Sequence, residues 1–192
     1  FRRVLFRSWQ TSVSGAGREA VYTDHFGNRV ELVSVNDGAQ SISILAMGEV
    51  ETEERNGVFG PHIGYVPLWL YLRETPLTLA DEAIKTFARG VAGNREPLDS
   101  LHALMGALHD GMAVDDEAAA ADAAKAFAAK TVSCRNLTHV FIAAARSLGI
   151  PARYVSGYVL RDEAARQSGH AWAEAHVPGL GWVGFDPAPI SR

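Results

Sequence analysis

Cys134, His170 and Asp186 supply, in chain order, a thiol, an imidazole and a carboxylate. Those are the groups thiol-based acyl transfer needs: a nucleophile, a base that exchanges its proton, and an acceptor that orients the base. Cys134 is the only cysteine among 192 residues, which rules out an intrachain disulfide and fits a reducing, cytoplasmic compartment. A lone cysteine is by default a small buried apolar residue. The position of Cys134 argues for more. It follows Ser133, a good helix cap. Leu137, Val140, Phe141, Ala144, Ala145 and Leu148 then step by three and four, which marks one buried helical face. Asn136 makes a weak capping box with Ser133, and Gly149 and Pro151 close the helix. Cys134 thus falls in the first turn, where backbone N–H groups are unpaired and the dipole favours negative charge. A thiol there ionises more easily.

The partners of Cys134 must come from the strands that follow. Ala152–Leu160 is β-branched and aromatic, and Arg161–Gly169 is a polar loop that suits a mobile rim. His170–Val177 alternates large and small residues, Pro178–Gly181 is a turn, and Trp182–Asp186 is a further strand. In a hairpin, directly opposed residues have numbers of constant sum. A symmetric two- or four-residue turn puts His170 and Asp186 on opposite faces, whereas a three-residue turn with a bulge puts them on one face. Gly179 and Gly181 can take the positive φ that such a bulge requires, so the expectation is a three-residue or bulged connection with both side chains on the same side.

The stretches Val132–His139, Ala144–Tyr158, His170–Glu174 and Gly181–Pro187 resemble the bacterial transglutaminase-like superfamily, whose members are often described as candidate cysteine proteases. The likeness is close over the last third of the chain. Asp24–Val30 also resembles that family's N-terminal β domain. The resemblance implies an α+β fold: a papain-like transglutaminase core of helices packed on an antiparallel sheet, preceded by a small β domain. It implies Cys134 as nucleophile, His170 as general base and acid, and Asp186 as the group orienting His170. Two departures stand out. Val132-Ser133-Cys134 replaces the family's Gly-Val-Cys, and Asn136 replaces its Asp. The family has more sheet after the strand bearing the Asp, so the chain is read as a fragment truncated at its C-terminus. Phe1–Ser8 resembles nothing in the family and is left out of fold reasoning.

Residues 1–72 are expected to form a partial N-terminal β domain and linker, and 73–192 the catalytic core. Ala20–Thr23, Arg29–Val35 and Ser41–Val50 are strand candidates, with a Gly27-Asn28 hairpin signal between the first two. Glu51–Gly60 reads as loop and Tyr65–Leu72 as an apolar link. Thr78 can cap a helix to about Arg89, with Leu79, Ala83, Ile84 and Phe87 inward. Pro97 opens a helix to about Asp110, with Leu98, Leu101, Leu104, Met105 and Leu108 inward. Asp116–Lys130 is alanine-rich and favours helix.

The net charge of −4 leaves no electrostatic footprint for nucleic acid, and no apolar run is long enough to span a membrane. The expected partner is a protein or peptide substrate. No cofactor is expected, and no metal: His170 and His176 share a strand face, but no HExxH motif or cysteine pair completes a site. Trp172 and Trp182 lie close in sequence to the His and Asp and are candidate substrate-binding residues, with core packing as the default. His139 has a supporting role as its functional alternative, and Arg153 and Glu174 are expected to pair across strands. The function expected is acyl transfer on a peptide or glutamine carboxamide through a thioester, with hydrolysis preferred to cross-linking. The alternative is a catalytically inactive relative that serves as a binding module. An arylamine acetyltransferase-like enzyme shares the triad order, but its arginine- and glycine-rich approach to the Cys is absent. A peptide glycanase would carry zinc cysteines this chain lacks.

Overall fold

The computed structural model describes residues 2–115, 117–158 and 169–188, with side chains from Ser8 onward. Most of the expected rim loop, the strand end at Val159 and Leu160, and the last four residues lie outside the described residues. The chain divides into two compact units: Phe1–Asn56 with Ile63–Val66, and Gly57–His62 with Pro67–Arg192. Residues 57–62 and 67–72 thus fall with the second unit, whereas the sequence places them with the first.

The first unit consists of antiparallel strand pairs. β1 (Arg2–Ser14) pairs with β4 (Ser43–Glu54), and β2 (Ala16–Thr23) pairs with β3 (Arg29–Val35). Two expectations are corrected here. Arg2–Ser8, left out of fold reasoning above, is part of the fold, because β1 runs in register with β4 as far as Arg2 opposite Glu54. Glu51–Glu54 is strand rather than loop, since its backbone groups are taken up by that pairing. Asp24 closes the β2–β3 hairpin by accepting from the Phe26 and Asn28 backbone N–H groups, with Gly27 at φ 85°.

The second unit holds a four-stranded antiparallel sheet in the order β5 (Val58–Gly60), β10 (Gly181–Phe185), β9 (Gly169–Val177), β8 (Ala152–Tyr158). A 3-10 helix spans Leu68–Leu72, and four α-helices follow: α1 (Glu82–Ala92), α2 (Pro97–Gly111), α3 (Ala123–Ala129) and α4 (Cys134–Ser147). Short strands β6 (Ala113–Val114) and β7 (Thr131–Val132) pair in parallel. The core is built from Leu101, Leu104 and Leu108 of α2, Leu137, Val140 and Phe141 of α4, and Val183 and Phe185 of β10. Ala171, Ala173 and Ala175 present small, fully buried side chains where α4 packs on β9, which lets helix and strand approach closely.

Two helices differ from expectation. α1 starts three residues late, because Asp81 rather than Thr78 is its cap and accepts from the Ile84 N–H. Its buried face is Ile84, Ala88 and Ala92, while Leu79 and Ala83 are exposed. Thr78 instead bonds Thr75 and Arg146. The alanine-rich stretch is helical only from Ala123, where Asp122 caps α3. Upstream, the Asn136 side chain holds the backbone at Ala119 and Ala121 in a non-helical path.

Candidate active site

Cys134 is the first residue of α4, where the sequence placed it, and Ser133 caps the helix by accepting from the Asn136 N–H at 3.3 Å. The Asn136 side chain does not complete a capping box. It donates to the Ala119 carbonyl at 2.8 Å and accepts from the Ala121 N–H at 3.2 Å. A carboxylate could accept there but not donate, which gives a physical account of Asn in place of the family's Asp.

The β9–β10 hairpin has a three-residue connection, Pro178–Leu180. Gly181 lies opposite Val177 and Phe185 opposite Ala173, the even register that sets His170 and Asp186 on one side. Leu180 donates to the Val177 carbonyl, with Gly179 and Gly181 both at φ 82°. Gly181 is further constrained: a Cβ there would lie 2.0 Å from the Gly60 carbonyl oxygen.

His170 Nε2 donates to Asp186 Oδ2 at 2.6 Å, and both side chains are largely buried. The other Asp186 oxygen accepts from the Ala188 N–H at 3.1 Å. His109, near the end of α2, donates to the Pro187 carbonyl at 3.2 Å and so secures the segment after Asp186. With Nε2 committed to Asp186, Nδ1 is the ring nitrogen left for Cys134, the second group after Asp186 that raises the His170 pKa. The His170 pKa is pushed up to about 9. The Asp186 hydrogen bond is the main cause and the Cys134 hydrogen bond the next, against a smaller opposing effect of burial.

Trp172 stacks on His170, ring centroids 6.3 Å apart at 25°. It lies across Gly157, where a Cβ would come within 2.7 Å of the indole. Glycine in mid-strand here marks a close approach. The Tyr154 pKa is raised first by burial and then by its nearness to Cys134. Its ring lies 5.2 Å from that of His139. His139 is half-buried and held below its ordinary pKa mainly by burial, and its Nδ1 has no hydrogen-bond partner among the described residues. Trp182 is elsewhere. It is 2% exposed, bonded to His62 and enclosed by Tyr71, His176 and the Arg153 guanidinium, so its surroundings are those of a packed interior residue.

Arg153 and Glu174 are directly opposed and bonded at 2.7 and 2.6 Å. Glu174 is buried, so the small energy of an exposed pair does not apply. Gly169 belongs to β9 rather than to the rim loop. Thr138, His109 and Tyr154 carried no signal in the sequence reading, because each acts across a distance that periodicity does not encode. Among the described residues no cluster of three metal-ligating side chains occurs, and no helix is long and apolar enough to cross a membrane.

The chain is 36% identical over 73 residues to the uncharacterized protein YebA of Bacillus subtilis, and 38% identical over 60 residues to the uncharacterized protein ML0607 of Mycobacterium leprae. Those matches cover 32% and 28% of this chain, and only 10% and 21% of the relatives. Among solved structures, a candidate cysteine protease from Cytophaga hutchinsonii superposes with a TM-score of 0.72 at 19% identity, covering 96% of this chain and 66% of that one. The periplasmic domain of TgpA from Pseudomonas aeruginosa, bound to ethylmercury, superposes with a TM-score of 0.50 at 18% identity, covering 96% and 69%. These likenesses establish the papain-like α+β fold. The family model described as the transglutaminase-like superfamily matches residues 85–187, more than half of the chain and the stretch that carries Cys134, His170 and Asp186, and the chain belongs to that superfamily.

Proposed function

We propose that the chain performs thiol-dependent acyl transfer on amide substrates, a peptide bond or a glutamine carboxamide, through Cys134, His170 and Asp186. The observation that supports this most is the 2.6 Å hydrogen bond from His170 to Asp186, with Cys134 beside His170 and the His170 pKa raised to about 9. At neutral pH an imidazole so placed holds the proton that a departing amine needs. In the proposed reaction the Cys134 sulfur attacks the amide carbon, and the oxyanion draws on the Cys134 backbone N–H in the first turn of α4. The C–N bond breaks as His170 gives its proton to the departing amine, leaving a thioester. Water then attacks, His170 takes its proton, and the carboxylic acid product leaves as the C–S bond breaks. Water needs no second binding site, so hydrolysis is the expected outcome, and an amine acceptor would give cross-linking.

The test is amine or ammonia release from casein and from a panel of chromogenic peptide amides, with wild type, Cys134→Ala and His170→Ala. Activity in wild type that falls about 10⁴-fold or more in either variant supports the proposal. Activity unchanged by Cys134→Ala overturns it. A folded wild type with no turnover and with ordinary thiol reactivity favours the inactive binding module.

A further inference from the structure

We propose that Thr138 is the positioning residue that fixes the nucleophile's helix against the base's strand, an inference that rests on the acyl-transfer reading. Thr138 is fully buried one turn after Cys134. Its Oγ1 lies 2.9 Å from the Cys134 carbonyl oxygen and 3.2 Å from the Ala171 carbonyl oxygen. A hydroxyl has one proton, and here it is shared between the backbone of the nucleophile and the backbone of the residue after His170. Apart from the Cys134–His170 contact itself, no other hydrogen bond from an α4 side chain to β9 occurs among the described residues.

The rest of the α4–β9 contact is apolar. Phe141 and Ala145 of α4 share one apolar core with Ala173 and Ala175 of β9, which resists separation of the two elements, but apolar contact is non-directional and says little about sliding along the strand. A hydrogen bond is directional, and its energy falls off over a few tenths of an ångström. Thr138 therefore sets how Cys134 lies along β9, and with it whether Sγ meets Nδ1 of His170. The cap at Ser133 and the Asn136 contacts hold the same turn of α4 from the other side, toward Ala119–Ala121. The turn is clamped between two polar anchors, of which Thr138 is the one that touches the base's strand.

Because Cys134 is the only thiol, alkylation of the intact protein by iodoacetamide, read by mass, reports that residue alone. The experiment compares the pH profile of labelling and the NMR titration of His170 in wild type, Thr138→Val, Thr138→Ala and Thr138→Ser. A His170→Gln variant assigns the resonance. The expected result is labelling at pH 7 about tenfold slower in Thr138→Val, with the His170 midpoint at least one pH unit below that of wild type and both restored in Thr138→Ser. Thr138→Ala gives the same reading if the valine variant does not fold. A lower melting temperature with wild-type labelling and titration profiles would overturn the inference, leaving Thr138 a plain core residue. So would a serine variant as impaired as valine. If labelling of wild type is itself indifferent to His170→Gln, the acyl-transfer reading falls, and that outcome is distinguished from failure of the tether alone.

Discussion

Arg18 with Glu31 in the first unit and Arg153 with Glu174 in the second make the same chemical contact, at 2.8 and 2.6 Å, across a pair of antiparallel strands. Their surroundings differ. The side chains of the first pair are 43% and 13% exposed, and those of the second 25% and 7%, with the Arg153 guanidinium 4.2 Å over the Trp182 ring. The contrast extends to the strands. Every residue of β4 is exposed, and every residue of β10 is buried. Two-stranded pairs contribute little burial of their own, whereas a sheet under a helix gains a core and the dry, fixed surroundings in which a hydrogen-bonded line of ionisable groups keeps its geometry. The candidate site belongs to the second kind of region, and its distances should respond to substitutions that leave the first kind unmoved.

The sharpest way to break this comparison is a matched pair of truncations. Phe185→Ala removes a fully buried ring stacked on Phe141 at 5.4 Å and should cost about 3–5 kcal/mol in chemical denaturation. Leu45→Ala, at a half-exposed position of β4, should fall within about 0.5 kcal/mol of wild type. Equal losses would contradict the account. Next come the two ion pairs. Arg153→Met strands the Glu174 charge in the interior and should cost about 3 kcal/mol, while Arg18→Met should cost about 0–1 kcal/mol.

The third prediction concerns pH. The folded-state pKa of His170, about 9, lies above its ordinary 6.5, so the stabilisation is fully present below about pH 6.5 and lost as pH rises through 9. At about 1.4 kcal/mol per unit, the loss is at most about 3 kcal/mol. The denaturation midpoint of wild type should fall across that window, and that of His170→Gln should fall less. The last prediction concerns Gly157→Ala. It should cost about 1–3 kcal/mol by pressing on Trp172, and should lower the His170 midpoint in an NMR titration as the stacked indole shifts.

Local rules made part of this legible. Ser133 before an apolar 3–4 pattern marked the start of α4, and Pro97 marked that of α2. The glycines around Pro178–Leu180 fixed the parity that brings His170 and Asp186 together. What stayed hidden depends on distant partners. β1 is a strand because β4, about forty residues on, pairs with it, and β5 because β10 does. The alanine-rich stretch loses its first turns because Asn136 bonds the backbone there, and propensity had no means of knowing it. Thr138 looks like any buried helical threonine until β9 is placed beside it.

The account stands or falls on whether Asp186 and Cys134 both act on His170. The direct measurement is the NMR titration of His170 in wild type, Asp186→Asn and Cys134→Ala. A wild-type midpoint near 9 is predicted, with a large fall in Asp186→Asn and a smaller one in Cys134→Ala, in the order of the two hydrogen bonds that raise it. A midpoint near 6.5 that neither substitution moves would contradict it.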